Sequence, residues 1–259
     1  VAGGMLAAAL PGLLFGGLVM ASPGLVPACR ITEPASYATQ QGTFGGAASV
    51  DLRLDCGDVA VRTTPGAGWH VQTGDHGSAA PVVESSADRL SVWSADERHR
   101  FGSHWGGDAF VVTLPTNSTL DLDVEVNAGR GRFDLAGARL GDVRLDANAG
   151  GLNVDLTGAT LVRLSMEANA SRASVRLPAT GDFEADFEVN AADMSVCAPA
   201  GLGLRIRQDV VLGSTTYSGL VRNGDGWETP GYSTATSHAD VTISVNVGSV
   251  DVNPEGGCK

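Results

Sequence analysis

A motif of asparagine followed by alanine recurs in this chain at a constant spacing. The four asparagines of the series are Asn127, Asn148, Asn169 and Asn190, and each number exceeds the previous one by 21. A fixed period of about 20 residues is typical of solenoids, in which each repeat stacks on its neighbours. The spacing therefore predicts an all-β, single-domain, parallel β-solenoid with rungs of about 21 residues.

Apolar residues occupy alternate positions on both sides of the asparagine. Before it stand Val124, Leu145, Met166 and Phe187, and then Val126, Ala147, Ala168 and Val189. After it stand Phe133, Val154, Val175 and Val196, and then Leu135, Leu156, Leu177 and Ala198. Successive side chains of a strand point to opposite faces, so each repeat predicts two strands with inward apolar columns.

The Asn-Ala step between the two strands is a predicted corner. Asparagine tolerates left-handed backbone angles, and we predict that Asn127, Asn148, Asn169 and Asn190 form a structural ladder there. Side-chain amides can hydrogen-bond along a stack of strands about 4.8 Å apart. A second corner is predicted at Gly137 and Gly158.

A shortened form of the pattern occurs near both ends, over residues 52–61 and 243–252, and these segments are predicted to be terminal rungs. The recurring motif, aliphatic-x-aliphatic-[Asp/Asn]-x-Gly-x-Val-x-Val, resembles the bacterial putative-adhesin or toast-rack family over roughly residues 48–253. In that family, β-solenoid domains follow transmembrane segments in LiaF-type and PspC-type envelope-stress proteins. The resemblance implies adhesion or envelope-stress signalling and brings no catalytic residue.

The segment before the repeats is apolar, and Arg30 is the first charged residue. Residues 1–28 are long enough to cross a bilayer core of roughly 30 Å, so they predict a transmembrane or signal helix. We predict a linker over 29–47, the solenoid over 48–253 and a tail over 254–259. Within the solenoid, regular rungs are expected over about 120–200 and a loop insertion over about 69–108. The location predicted is the cell membrane, with the solenoid extracytoplasmic.

The chain has four cysteines, Cys29, Cys56, Cys197 and Cys258. In an extracytoplasmic protein they could form two disulfides with three alternative connectivities. The sequence before Cys29 also resembles a bacterial lipobox, which would make this cysteine a lipid anchor. Lipidation of Cys29 and two disulfides are mutually exclusive alternatives.

An acidic residue stands two positions before each ladder asparagine: Glu125, Asp146, Glu167 and Glu188. Alternation predicts that these side chains point outward and form a line. Such a line could bind calcium, which takes several oxygen ligands, and no other cofactor is expected. The alternative is a solvated acidic face, or one paired with arginines such as Arg144.

Histidines and tryptophans concentrate where the repeat is interrupted. Candidate interaction residues are Trp93, His99, His104, Trp105 and Trp227. Loops on a rigid scaffold often carry function. The alternative is that these aromatic residues cap the open ends of the solenoid and protect its sheet edges.

The net charge and the absence of known catalytic motifs argue against several classes of function. The net charge is −12 and Lys259 is the only lysine, so nucleic-acid binding is not expected. Because zinc, nucleophile-elbow and phosphate-loop motifs are absent, we predict that the chain is not an enzyme. We predict a non-catalytic, membrane-anchored envelope solenoid that binds a protein or cell-surface partner. The alternatives are a self-assembling structural protein and a glycan-active β-helix enzyme that uses paired carboxylates.

Overall fold

The computed structural model describes residues 36–75, 81–95 and 108–257. These residues form eighteen strands and one short 3-10 helix, Tyr232–Thr234, so the predicted all-β fold is confirmed. The strands belong to one sheet that curls almost closed around a single apolar core. No helix in these ranges is long and apolar enough to span a bilayer. The predicted helix over residues 1–28 lies outside the described residues.

The strands of the first half of the chain are β1 (Ser36–Thr43), β2 (Ala48–Leu54), β3 (Gly57–Thr64), β4 (Gly68–Asp75), β5 (Val82–Ser85), β6 (Arg89–Trp93), β7 (Asp108–Pro115), β8 (Thr119–Val126) and β9 (Gly129–Asp134). Those of the second half are β10 (Arg139–Ala147), β11 (Gly150–Asp155), β12 (Thr160–Ala168), β13 (Ser171–Arg176), β14 (Phe183–Cys197), β15 (Gly203–Tyr217), β16 (Val221–Asn223), β17 (Gly226–Glu228) and β18 (His238–Val252). Because β14, β15 and β18 run through a bend, each contributes two strand halves.

Parallel pairing between strands one repeat apart organises the centre of the sheet. The strands before the asparagines pair in the order β6, β2, β8, β10, β12, β14, β18, β15, and Leu145 lies between Val124 and Met166. The strands after them pair in the order β7, β3, β9, β11, β13, followed by the second halves of β14, β18 and β15. We call these the first strands and the second strands.

The inward columns are buried as the alternation predicts. Both columns of the first strands are at most 3% exposed, and so are Phe133, Val154, Val175 and Val196 of the second strands. Ala198 is the exception, since it is only partly buried and packs against the edge of the core. Burial of each such aliphatic side chain contributes about 1.5–3 kcal/mol, and this drives the strands to stack.

Glycine, and not asparagine, takes the left-handed backbone at the first corner of two central repeats, so the conformation that asparagine tolerates is not used there. Gly129 and Gly150 have φ of 136° and 122°, whereas Ala191 and Asn253 are the only described residues other than glycine with positive φ. A Cβ on Gly150 would lie 1.9 Å from the carbonyl oxygen of Gly129. At these two corners glycine is therefore needed for conformation and for close approach of the backbones, whereas Ser171 and Ala192 occupy the same position in the next two repeats.

The order of the strands in the stack differs from their order in the chain. The segments predicted as terminal rungs, 52–61 and 243–252, each lie second from an end, so that prediction is wrong. Strands β6 and β7 lie outside β2 and β3, and β15 lies outside β18. Similar alternation identifies a repeat, but it does not indicate the repeat's position in the stack.

Antiparallel strands cover one end, and they occupy segments predicted to lack strands. Strand β4 pairs with β7, β1 pairs with β4, and β5 pairs with β6. Thus the predicted linker 29–47 contains β1, and the predicted loop insertion 69–108 contains nearly all of β4 together with β5 and β6. These strands satisfy backbone groups that would otherwise be exposed at the edge.

Cys56 and Cys197 are both disulfide-bonded. Cys56 precedes β3, whereas Cys197 ends β14, four strands further along the second-strand stack. At about 4.8 Å per strand they are roughly 19 Å apart along the stack alone, beyond the reach of one disulfide. Cys56 and Cys197 are therefore not bonded to each other. Cys29 and Cys258 lie outside the described residues.

Candidate interaction surface

The ladder asparagines are hydrogen-bonded to one another. The Nδ2 of Asn148 donates to Oδ1 of Asn127 at 2.7 Å, Asn169 donates to Asn148 at 2.8 Å, and Asn190 donates to Asn169 at 3.1 Å. At one end Asn127 donates to Oδ1 of Asp55 at 3.2 Å. At the other end, Asn246 donates to Asn190. The ladder is therefore longer than predicted and ends on a carboxylate.

The same amides connect the ladder to the line of acids beside it. Nδ2 of Asn169 also donates to Oε1 of Glu167 at 3.0 Å, and Nδ2 of Asn190 donates to Oε1 of Glu188 at 3.2 Å. An amide nitrogen has two hydrogens, so one bond goes along the stack and one goes to the acid. The ladder thereby fixes two of the outward carboxylates.

Glu125, Asp146, Glu167 and Glu188 are register neighbours on successive first strands. The line continues through Arg53 beyond Glu125 and through Ser244 beyond Glu188. Nε of Arg144 donates to Asp146 at 3.2 Å, which offsets part of the repulsion within the line. Neighbouring carboxylates about 4.8 Å apart repel by roughly 1 kcal/mol in water, which a solvated surface tolerates.

The line of acids is part of a larger acidic face. We define the acidic face as the outward side chains of β8, β10, β12 and the first half of β14. They are Thr119, Asp121, Asp123, Glu125, Arg139, Asp142, Arg144, Asp146, Thr160, Val162, Arg163, Ser165, Glu167, Glu184, Asp186 and Glu188. Nine are carboxylates and three are arginines, so the face is strongly negative. Alternation along the parallel strands places all of them on one side.

The second strands present a different surface, which we call the mixed face. Its outward side chains on β9, β11 and β13 are Arg130, Gly151, Arg172, Arg132, Asn153, Ser174, Asp134, Asp155 and Arg176. Arg130 forms a bidentate pair with Asp58, at 3.0 and 2.9 Å, and Arg176 pairs with Asp155 at 3.1 Å. Burial alone would raise the pKa of Asp155, but hydrogen bonds from Thr157 and Arg176 lower it overall.

The described residues contain no group of three or more His, Cys, Asp and Glu side chains that could hold a metal ion. The predicted calcium candidates Glu125, Asp146, Glu167 and Glu188 follow the stack in a straight line. Calcium needs six to eight oxygens around one point, and a straight line does not provide such a shell.

The two predicted interaction residues that the structure describes, Trp93 and Trp227, lie on strands near opposite ends of the stack. Trp93 ends β6 and pairs in register with Arg53 and Val82, whereas His99, His104 and Trp105 lie outside the described residues. Trp227 is partly buried against the core and stacks on Tyr217 with ring centroids 4.8 Å apart. Burial raises the pKa of Tyr217, against the effect of a hydrogen bond with Thr215. Trp227 therefore caps the end of the core.

A polar cluster near Trp227 was not anticipated. Nε of Arg205 donates to Glu228 at 2.7 Å, and its guanidinium lies 4.2 Å from the ring centroid of Tyr232. His238 contacts Asp182 through Nδ1 at 3.2 Å and the carbonyl oxygen of Tyr232 through Nε2 at 3.1 Å. His238 reaches Asp182 because β18 pairs with β14 out of chain order, and Arg205 reaches Glu228 because β17 folds back onto β15. No local sequence pattern could therefore have revealed the cluster.

Comparison with solved structures identifies a shared fold. A structure described as a "putative cell adhesion protein" from Clostridium sporogenes matches 85% of this chain and 99% of its own, at 13% identity and a TM-score of 0.55. Structures described as a "putative adhesin" from Bacteroides fragilis and from Parabacteroides distasonis match at 10% and 8% identity, with TM-scores of 0.37 and 0.32. They cover 85% and 83% of this chain, and 99% and 97% of their own. No protein-family model and no curated protein matches the chain.

Proposed function

We propose that this chain is a non-catalytic, membrane-anchored β-solenoid of the bacterial cell envelope that binds a protein or cell-surface partner through its acidic face. The observation that carries the proposal is the acidic face itself, with nine carboxylates against three arginines on one side of four stacked strands. A rigid surface of one charge sign attracts a partner of the opposite sign and sets the orientation of approach.

The solenoid architecture is supported by the parallel, in-register pairs between strands one repeat apart. Membrane anchoring is supported by the apolar segment over residues 1–28 of the sequence. A role in adhesion is supported by the description of the Clostridium sporogenes structure, whose fold this chain shares. The partner that fits is a basic surface, on another protein or on a cell.

The test compares cells that carry the full chain with cells that carry a neutralised acidic face. The variant combines Glu125→Gln, Asp146→Asn, Glu167→Gln and Glu188→Gln, which preserve side-chain size and the acceptors of the ladder. A matched control removes four charges elsewhere on the second strands: Asp58→Asn, Asp134→Asn, Asp193→Asn and Asp251→Asn. An antibody against the full chain measures surface display, so that attachment is compared at equal amounts of protein.

Attachment is measured on surfaces coated with a cationic protein, lysozyme, and with an acidic one, serum albumin. We expect attachment to lysozyme to fall severalfold in the acidic-face variant, to persist in the control, and to weaken as salt rises. Attachment that does not depend on the chain, or an equal loss in both variants, would show that the acidic face is not the binding surface.

A further inference from the structure

Strand β15 closes the stack at the end opposite to β1, and one of its edges is open. It pairs with β18 along its whole length, Gly203 to Tyr217. On its other side it pairs with β17 only at Arg205 and Ile206. Within the described residues, the stretch 207–217 of that edge therefore has no neighbouring strand.

Backbone groups on this edge are directed away from the protein. The N–H of Leu204 donates to Oγ1 of Thr229 at 3.0 Å, and its carbonyl accepts from the N–H of Thr229 at 2.9 Å. Both groups of Leu204 thus point away from β18. Since backbone groups of a strand alternate between its two sides, those of Gln208 and Val210 point the same way. A row of such groups is a template for another strand.

Exposed apolar side chains lie at the middle of the open stretch. Val211 is 66% exposed and Leu212 is 71% exposed, and Val247, the register partner of Leu212 on β18, is 49% exposed. They stand at the bend between the two halves of β15. The same bend in the central repeats carries the small Asn-Ala pair, so this apolar cluster belongs to the last strand and its neighbour alone.

We propose that this edge binds the same edge of a second copy of the chain, antiparallel, about a twofold axis through Val211. The first half of β15 runs toward the bend and the second half runs away from it. A twofold rotation about an axis through the bend therefore lays the first half of one copy against the second half of the other in opposite directions. Each copy contributes the same surface, as twofold symmetry requires.

The pairing that follows is compatible with the charges. Val210 lies opposite Leu212 of the second copy, Arg207 opposite Thr215, and Asp209 opposite Gly213. No like charges face each other across the pair, although the chain carries a net charge of −12. The rotation also places the acidic face of one copy beside the mixed face of the other. Head-to-tail stacking would instead extend the acidic columns and increase the repulsion.

Neighbouring residues limit the length of the intermolecular strand pair. Arg205 and Ile206 are already paired with β17, and the partners that the axis assigns to them are Tyr217 and Thr216 of the second copy. Tyr217 stacks on Trp227. The intermolecular pair therefore spans residues 207–215 and ends where the β17 hairpin begins. This limit favours a closed dimer over a growing filament.

The test measures the mass of the full chain in detergent micelles by light scattering over a range of protein concentrations. We expect a monomer–dimer equilibrium. Val210→Pro removes an N–H that points to the open edge and that the monomer does not use, and Leu212→Lys places two charges near the axis. Each should raise the dimer dissociation constant at least tenfold. Val162→Lys, at an exposed valine of β12 remote from this edge, is the control and should leave it unchanged.

A cross-link tests the position of the axis. Residue 211 is the one position that faces itself, so Val211→Cys should form a covalent dimer under mild oxidation, and Val162→Cys should not. A monomer at every concentration would overturn the proposal, as would oligomers that keep growing or a dimer insensitive to the edge substitutions. Loss of the dimer leaves the acidic face and its attachment assay unaffected, so the two proposals fail separately.

Discussion

The central repeats and the two ends of the stack use the same kind of strand but are stabilised by different contacts. In the centre, every strand from β8 to β13 has a parallel neighbour on both sides, and a continuous amide ladder crosses them. At the ends, strands β1, β4 and β5 and the β16–β17 hairpin pair antiparallel, and polar clusters such as Arg205 with Glu228 replace the ladder.

The central strands and the ends of the stack are therefore constrained to different degrees. A central strand is constrained by the strands on both sides, and a Cβ added at Gly129 or Gly150 meets backbone. The turn that holds Gly66, near one end of the stack, has open space around that residue. We therefore expect the same substitution to cost much more in the centre than at an end.

The largest contrast is expected between two glycines with nearly the same backbone. Gly150 has φ of 122° and Gly66 has φ of 120°, but a Cβ on Gly150 would lie 1.9 Å from a carbonyl oxygen, whereas one on Gly66 would meet nothing within 4 Å. Gly150→Ala should lower the free energy of unfolding by about 4 kcal/mol. Gly66→Ala should lower it by about 1–2 kcal/mol through backbone strain alone. Urea unfolding measures both, and equal losses would show that corner packing is unimportant.

A smaller contrast is expected along the amide ladder. Asn148→Ala leaves Oδ1 of Asn127 without its donor and removes one acceptor of Asn169, so it should cost about 2 kcal/mol. Asn246→Ala removes only the last donor of the ladder, at an exposed position, and should cost about 1 kcal/mol or less. The comparison uses urea unfolding under identical conditions. A loss for Asn246→Ala as large as for Asn148→Ala would mean that the ladder does not act through its neighbours.

The repeat in the sequence was sufficient to predict the centre of the molecule. The columns through Val124 and Phe133 follow from alternation, and the ladder through Asn127 follows from a constant spacing. Each of these features depends on residues one repeat apart. The sequence does not indicate which corner residue is left-handed, because Asn and Gly both tolerate that conformation, and only the backbone angles show that Gly129 adopts it.

The structure of the ends could not be predicted, because the contacts there join strands that are not consecutive in the sequence or that fold back on a neighbour. Strand β2 is separated from β6 in sequence by β3, β4 and β5, yet Val50 pairs with Leu90. Arg205 meets Glu228 because β17 folds back onto β15. Nothing in the alternation distinguishes an outermost repeat from the one beneath it. The acidic line was visible in the sequence, but its bonds to the ladder depend on side-chain positions that no spacing specifies.

The smallest expected contrast concerns the pKa values of two carboxylates, Asp155 in the centre and Glu228 at an end. Hydrogen bonds lower the pKa of Asp155 despite its burial, and hydrogen bonds from Arg205 and Asn223 lower the pKa of Glu228 at the end. A lowered folded-state pKa stabilises the fold above the unfolded value, and this stabilisation is lost as pH falls through the folded value. Asp155→Asn should therefore cost less than about 1 kcal/mol at pH 7 and nothing near pH 2.

The salt dependence shows how much of each carboxylate's effect on stability comes from charge. At 1 M NaCl the effect of Glu228→Gln should shrink, because the ion pair with Arg205 is screened by salt, whereas the hydrogen bond from Nδ2 of Asn223 at 2.7 Å is not. Asp155 also accepts a hydrogen bond from the backbone N–H of Thr157 at 2.9 Å, which salt does not screen, so part of its effect should persist. Urea unfolding at pH 7 and pH 2, with and without salt, measures both. If Asp155→Asn lost its whole effect in salt, the central carboxylate would be held by charge alone.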